Sequence, residues 1–73
     1  MNTNSDIFMR QPGILGGTPV FTGTRVPVST LMDYLEGGDS IDLFLYDFPS
    51  VRREQVIAFL EYAKRGALEA VPA

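Results

Sequence analysis

The chain has 73 residues, of which 45% are hydrophobic and 21% charged, with a formal net charge of −3 and no cysteine or histidine. This length allows one small domain of ordinary globular composition. The missing residue types exclude disulfides, thiol nucleophiles, Ser-His triads and ordinary zinc sites, so we expect no cofactor and no metal. The acidic charge argues against a broad basic face for nucleic acid, although not against a local basic patch.

A core of this size barely offsets the conformational entropy lost on ordering the chain. Small domains usually add disulfides, a metal or a partner subunit, and only the last of these is open to this sequence. We therefore expect self-association or docking on a partner protein. Neither a signal peptide nor a run of about 20 apolar residues is present, which predicts a cytoplasmic protein with no membrane contact.

The first part of the chain is rich in residues that form turns. Residues 7–28 hold three of the five prolines and four of the seven glycines, a density that disfavours a helix. The short apolar runs Ile7-Phe8-Met9 and Ile14-Leu15 are predicted to be extended. Residues 1–6 are predicted to form a flexible N-terminus.

A small β-hairpin is predicted next, because Val20-Phe21 and Arg25-Val26 flank the turn sequence Thr22-Gly23-Thr24. Gly23 is expected at the position that needs a positive φ. Arg25 has three possible roles: contact with phosphate, entry into a partner's acidic site, or a structural lock between ribbon and helices. The structural lock is the slightly favoured interpretation.

Three amphipathic helices are predicted after Val28, where apolar residues begin to recur at i, i+3, i+4 and i+7. The three patterns cover residues 28–35, 41–48 and 56–63, and they are separated by Gly37-Gly38 and Pro49. The third helix is expected to end with Lys64-Arg65 in its last turn and Gly66 just beyond it. Three serines stand at predicted N-cap positions: Ser29, Ser40 and Ser50.

These elements predict a mainly α protein, a three-helix bundle with a short N-terminal β-hairpin. The domain is expected to cover residues 7–66, followed by a short C-terminal tail at 67–73. The Ser40–Asp47 helix, the turn after it and the helix from Val51 have the proportions of a helix-turn-helix.

The most suggestive polar group stands at the start of the second helix of that motif: Arg52, Arg53 and Gln55. In a helix-turn-helix the residues at this position meet base edges, where Arg reads guanine and Gln reads adenine. They are therefore candidate DNA-binding residues. An equally weighted alternative is that the arginines are exposed and paired with acidic neighbours such as Asp47 or Glu54.

Two further patterns carry no predicted chemistry. The glycine-rich stretch Gly13–Pro19 lacks the lysine that follows a phosphate-binding loop, so it is interpreted as a turn. The helical carboxylates are expected to face solvent without forming a catalytic or metal-binding cluster: Asp33, Glu36, Asp39, Asp42, Glu54 and Glu61.

The supply of apolar residues exceeds what one buried stripe per helix needs. Leu43, Tyr46 and Ile57 lie off the predicted stripes, while Phe8 and Leu68 lie near the chain ends. A chain of this size cannot hide all of these side chains, which predicts an apolar surface for self-association or a partner, with burial within a homodimer preferred. The candidate interface residues are Phe8, Leu43, Tyr46 and Ile57.

The segments Gly16–Val28 (GGTPVFTGTRVPV), Leu35–Gly38, Asp47–Val51 and Val56–Ala63 together resemble domain-of-unknown-function family 433 (DUF433), a family of small prokaryotic proteins. The signature residues of that resemblance are Gly23, Thr24, Arg25 and Pro27, which become candidate partner contacts. The sequence departs from the family pattern at Phe48, where tyrosine is usual before the proline.

The resemblance implies a homeodomain-like fold and the role of a VapB-like antitoxin in a type II toxin–antitoxin pair. The implied partner is a PIN-like ribonuclease toxin, and the implied regulation is repression of its own operon by a homodimer that binds operator DNA. The alternative is a dimeric protein-interaction module without a DNA role. We expect no enzyme activity, because the sequence offers no general base, nucleophile or cofactor loop.

Overall fold

A computed structural model describes residues 7–10, 13 and 15–71 of the chain. In order, these residues form strand β1 (Phe8–Met9), a 3₁₀ turn (Leu15–Gly17), strand β2 (Val20–Phe21) and helices α1 (Val28–Glu36), α2 (Ile41–Asp47) and α3 (Arg53–Ala70). The described part of the chain is therefore mainly α with one short antiparallel ribbon, as the sequence predicts. None of its helices combines the length and the apolar character needed to cross a membrane.

The ribbon pairs segments farther apart in the chain than the predicted hairpin does. β1 runs antiparallel to β2, with Phe8 opposite Phe21. The prediction of a second strand at Arg25-Val26 is wrong, because Val26 only closes a tight turn through its carbonyl, which accepts from the Phe21 N–H at 2.9 Å. Pro27 then makes a single bridge to Val20. The Val28 N–H donates to the Pro19 carbonyl at 3.1 Å beyond this bridge, and the pairing stops there because α1 begins at Val28.

The prediction of an extended Ile14-Leu15 segment is wrong at Leu15, which begins the 3₁₀ turn. Gly16 and Gly17 follow it with φ angles of 65° and 89°, in the left-handed region that interrupts an extended path. Ile14 and the predicted flexible residues 1–6 lie outside the described residues.

One of the three predicted serine caps is confirmed. The Ser40 hydroxyl accepts from the Leu43 N–H at 3.0 Å and so caps α2. Ser29 is instead inside α1, whose N-cap is Pro27. Ser50 lies in the turn that the hydrogen bond from the Val51 N–H to the Phe48 carbonyl closes, and α3 begins two residues later than predicted.

The third helix is longer than predicted. Gly66 lies inside α3, which continues through Ala70, so Lys64-Arg65 are not in its last turn and residues 67–70 of the predicted tail are helical. Gly66 does not adopt a positive φ, and the helix formers Ala67 to Ala70 follow it. Residues 72–73 lie outside the described part of the chain.

The ribbon and the helices share one hydrophobic core. The fully buried ring of Phe21 in β2 lies 6.1 Å from the Phe44 ring of α2 and 6.0 Å from the Phe59 ring of α3. The buried apolar residues are Val20, Phe21, Val26, Leu31, Phe44, Val51 and Val56. This core fixes the turn after β2 against the beginning of α3, where the candidate polar residues lie.

Candidate functional site

Gln55 lies inside the protein, with only 3% of its surface exposed. Its side-chain nitrogen donates to the Thr22 carbonyl at 2.9 Å, and its side-chain oxygen accepts from the Arg52 N–H at 3.0 Å. Both ends of the amide are therefore used in joining the turn after β2 to the start of α3. The predicted role of Gln55 in reading a base is replaced by this structural one.

Arg52 is the N-cap residue of α3, and its side chain is exposed. A guanidinium carries only donors, so Arg52 cannot cap the helix by accepting from its first N–H groups. Gln55, the third residue of the helix, supplies a side-chain cap by reaching back to the Arg52 N–H. A glutamine three residues after the N-cap is a known capping pattern, but it is recognisable here only once Arg52, rather than the predicted Ser50, is the N-cap.

Arg53 is paired with a carboxylate, as the alternative interpretation expects, but its partner is neither Asp47 nor Glu54. Its guanidinium makes an ion pair with Asp42 of α2. Both side chains are mostly exposed, so the pair contributes little to stability. It nevertheless places the first turn of α2 next to the first turn of α3.

Asp47 has a different partner: its carboxylate accepts a hydrogen bond from the Tyr34 hydroxyl of α1 at 2.6 Å. That hydrogen bond is the main cause that raises the pKa of Tyr34, with smaller contributions from burial and the negative charges of Asp47 and Asp39. The Tyr34 ring packs edge-on to Phe44 at 5.4 Å and to Phe48 at 5.8 Å. Phe48 therefore packs against both Tyr34 and Phe44.

The signature turn is organised by Thr24. Its hydroxyl donates to the Phe21 carbonyl at 2.8 Å and accepts from the Val26 N–H at 3.0 Å. Gly23 beside it has a φ of 83°, which a residue with a side chain rarely adopts. The turn is thus held by its own hydrogen bonds and, through Gln55, by α3.

Arg25 follows Thr24 and is exposed. Among the described residues its side chain makes no hydrogen bond or ion pair. The favoured interpretation of Arg25 as a structural lock is therefore not supported, since Thr24 and Gln55 perform that role. Pro27, the last of the signature residues, is the N-cap of α1 in extended conformation.

Three of the four predicted interface residues are exposed, with 41% of Leu43, 83% of Tyr46 and 48% of Ile57 accessible. Phe8 is placed differently. Its half-buried ring lies 5.7 Å from the Phe59 ring and 5.2 Å from the Tyr62 ring, so it packs within the chain.

Three of the exposed apolar residues stand on the two helices that the Asp42–Arg53 ion pair links, and we call them the α2–α3 face: Leu43, Tyr46 and Ile57. Leu43 and Tyr46 are three residues apart on α2, a spacing that places them on the same side of a helix. Ile57 stands four residues after Arg53 on α3, and a shallow depression beside it is lined by Arg53, Glu54, Ile57 and Ala58. The ion pair lies between these two helices.

The helical carboxylates predicted to face solvent are all exposed. Within the described ranges, no group of three or more acidic residues is placed to hold a metal ion. The arrangement offers apolar contact at the α2–α3 face and guanidinium contacts at Arg25 and Arg52. Both are suited to binding another molecule.

Comparison with known proteins gives a family and one distant relative. The family model described as "Protein of unknown function (DUF433)" matches residues 9–63. The chain is 38% identical over 63 residues to "Uncharacterized protein y4eO" of Sinorhizobium fredii (strain NBRC 101917 / NGR234). The alignment covers 86% of this chain but 28% of that relative, so the chain spans little more than a quarter of the relative's length. No solved structure matches the chain significantly.

Proposed function

The chain belongs to the DUF433 family of proteins of unknown function, and from this premise we propose that it is the antitoxin of a type II toxin–antitoxin pair. In this role it binds a PIN-like ribonuclease toxin and neutralises it. The proposal assigns the chain a binding function and no catalytic step of its own.

The observation that carries the proposal is the α2–α3 face. Leu43, Tyr46 and Ile57 are large apolar side chains that stay exposed on two helices linked by an ion pair, in a chain with a small core. Single apolar residues are ordinary on protein surfaces, but several large ones beside a charged pair are typical of a binding surface. Asp42 and Arg53 are the charged pair here, and charges at a binding surface help to set the orientation of the partner.

Direct contact of the free chain with operator DNA has less support. Gln55 is buried, Arg53 is paired with Asp42, and the acidic Glu54 lies beside them. The chain also carries a net charge of −3, which repels phosphate. We therefore propose that operator binding, and with it autoregulation, requires the complex with a basic toxin. An interaction module without a DNA role is the competing function.

The proposal is tested by co-expressing the chain with the protein encoded in the adjacent open reading frame, with a tag on one of the two. We expect the neighbour alone to arrest growth, the pair to restore growth, and both chains to co-purify at fixed stoichiometry. The control is the neighbour co-expressed with an unrelated acidic protein of similar size. A neighbour that is harmless, or that never co-purifies with the chain, contradicts the antitoxin role.

Operator binding is then measured for the free chain, the nuclease and the complex on the same promoter fragment. A footprint formed by the complex, and weakened by Arg52→Ala in this chain, supports a DNA role for the chain within the complex. A footprint unchanged by that substitution favours the interaction module.

A further inference from the structure

We propose that Arg25 and Arg52 together form a binding site for carboxylate groups of a protein partner. The two arginines are 27 positions apart in the chain, but they stand on the two segments that Gln55 joins. That the ligand is a protein rests on the proposed function. The site itself rests on the contacts described below.

The first of these contacts is the buried amide of Gln55. It bonds the Thr22 carbonyl at 2.9 Å on one side and the Arg52 N–H at 3.0 Å on the other. The main chain of the turn after β2 is thereby held against the main chain of the α3 N-cap. Because this amide is 3% exposed, water competes little for its two hydrogen bonds.

The second contribution is the rigidity of the turn that carries Arg25. Thr24 makes two hydrogen bonds with its hydroxyl, and the Phe21 N–H donates to the Val26 carbonyl at 2.9 Å across the turn. Arg25 therefore projects from a main chain fixed on both sides. A guanidinium held in this way loses less conformational entropy on binding than one on a mobile loop.

The third observation concerns which lysine and arginine side chains already have a hydrogen-bond or ion-pair partner within the chain. The chain has six lysines and arginines. Arg10 donates to the Gly17 carbonyl at 3.0 Å, Arg53 is paired with Asp42, and Lys64 is paired with Glu61 at 3.1 Å. Among the described contacts, Arg25, Arg52 and Arg65 have no such partner. Arg65 lies next to Lys64 on the second half of α3, whereas Arg25 and Arg52 stand on the two segments that Gln55 joins.

Carboxylate groups suit this site better than a nucleic-acid backbone does. A guanidinium fork matches one carboxylate in two parallel hydrogen bonds. Nucleic-acid binding depends on neutralising many phosphates at once, and two arginines on a chain of net charge −3 supply few such contacts. An acidic segment of a protein, with several carboxylates along it, can bind guanidiniums that project from two joined segments.

The test uses the purified full chain, labelled with ¹⁵N, and a peptide of six glutamates blocked at both ends as the probe. We expect amide shift changes concentrated at residues 22–25 and 52–53. Arg25→Ala and Arg52→Ala should each weaken binding about fivefold. Arg65→Ala removes the same charge from an exposed helix position and should leave the affinity unchanged. Arg25→Lys keeps the charge without the fork and should give an intermediate affinity.

Several results would overturn the site. Shift changes spread evenly over all cationic residues, or an equal loss of affinity in Arg65→Ala, would show unspecific attraction of the probe. Tighter binding of a DNA duplex through the same amides would reassign the site to nucleic acid. The peptide experiment needs no nuclease. A failed co-purification therefore contradicts the antitoxin role alone, and a failed titration contradicts this site alone.

Discussion

The side chain of Gln55 joins two segments of the chain, because its nitrogen donates to the Thr22 carbonyl at 2.9 Å while its oxygen accepts from the Arg52 N–H. A residue that the helix-turn-helix pattern predicts as a base contact is therefore a buried connector. Gln55 is thereby taken out of the group of three candidate base contacts, while Arg52 stays exposed. The connection also places Arg52 beside the turn that carries Arg25.

Replacing Gln55 tests this structural role. Gln55→Ala leaves two main-chain groups without their partner and opens space in a buried position, so we expect the free energy of unfolding to fall by about 2 kcal/mol. Urea denaturation followed by circular dichroism measures the change. The control is Glu54→Ala at the exposed neighbouring position, which should change the stability by less than about 0.5 kcal/mol. Equal stabilities for the two variants would contradict the role assigned to Gln55.

Two glycine-to-alanine substitutions should change the free energy of unfolding in opposite directions. At both positions the space for a Cβ is open, with no atom from elsewhere in the chain within 4 Å. The two substitutions therefore differ only in the main-chain conformation that the new alanine must adopt. Gly23 has a φ of 83°, and we expect Gly23→Ala to destabilise the protein by about 1 to 2 kcal/mol. Gly66 lies inside α3, and Gly66→Ala should stabilise it by about 0.5 to 1 kcal/mol. Thermal denaturation of both variants checks this, and a destabilising Gly66→Ala would mean that α3 ends at Gly66.

The hydrogen bond from Tyr34 to Asp47 makes stability depend on pH in the alkaline range. The pKa of Tyr34 is raised in the folded state, mainly because the hydroxyl donates to Asp47. Its stabilising contribution is therefore complete below the unfolded pKa of about 10 and is lost as pH rises through the folded pKa. We expect the stability difference between wild type and Tyr34→Phe to be constant from pH 7 to pH 9 and to shrink above about pH 10.

The control for this pH series is Tyr46→Phe, since Tyr46 is an exposed tyrosine without a hydrogen bond among the described residues. Its stability should follow the wild-type profile over the whole range. A Tyr34→Phe profile that runs parallel to wild type above pH 10 is the result that rules out the proposed dependence. Denaturant unfolding at each pH, followed by far-ultraviolet circular dichroism, supplies the measurement.

The ion pair between Asp42 and Arg53 should matter little to the stability of the free chain. Both side chains are more than half exposed, at 79% and 58%, where solvent screens the attraction. A double-mutant cycle with Asp42→Ala and Arg53→Ala should give a coupling energy of about 0.5 kcal/mol or less, decreasing with added salt. A coupling above about 1.5 kcal/mol at 0.15 M salt would show that the pair holds α2 and α3 together.

Much of the fold could be predicted because the spacing of apolar residues along the chain depends on the local secondary structure. The three helices follow the three repeats of i, i+3, i+4 spacing, and α1 ends at Glu36, before Gly37-Gly38. Ser40 also caps α2 as expected. The predicted ends of α3 are wrong because glycine and serine are each compatible with more than one position: Gly66 can lie inside a helix or after its end, and Ser50 can lie in a turn or at an N-cap. Tertiary packing and the neighbouring residues decide which conformation occurs.

The candidate site was harder to predict, because its geometry depends on contacts between distant residues. Nothing in the sequence links Gln55 to Thr22, which is 33 positions earlier, or Tyr34 to Asp47. The exposure of Leu43, Tyr46 and Ile57 was predictable, since these residues lie off the buried stripes. Phe8 differs because β1 carries it onto Phe59 and Tyr62, a pairing that its position near the chain end does not indicate.

The central proposal is that the α2–α3 face binds the proposed toxin, and the dissociation constant of the complex tests it most directly. Titration calorimetry would compare the wild-type chain with Leu43→Ser/Ile57→Ser and with the control Leu68→Ser, an exposed apolar residue near the far end of α3. We expect the double variant to bind at least about 100-fold more weakly, because it removes two apolar contacts of about 1.5 kcal/mol each, and the control to bind as wild type does. A double variant that binds as tightly as wild type, with its fold intact, would contradict the claim.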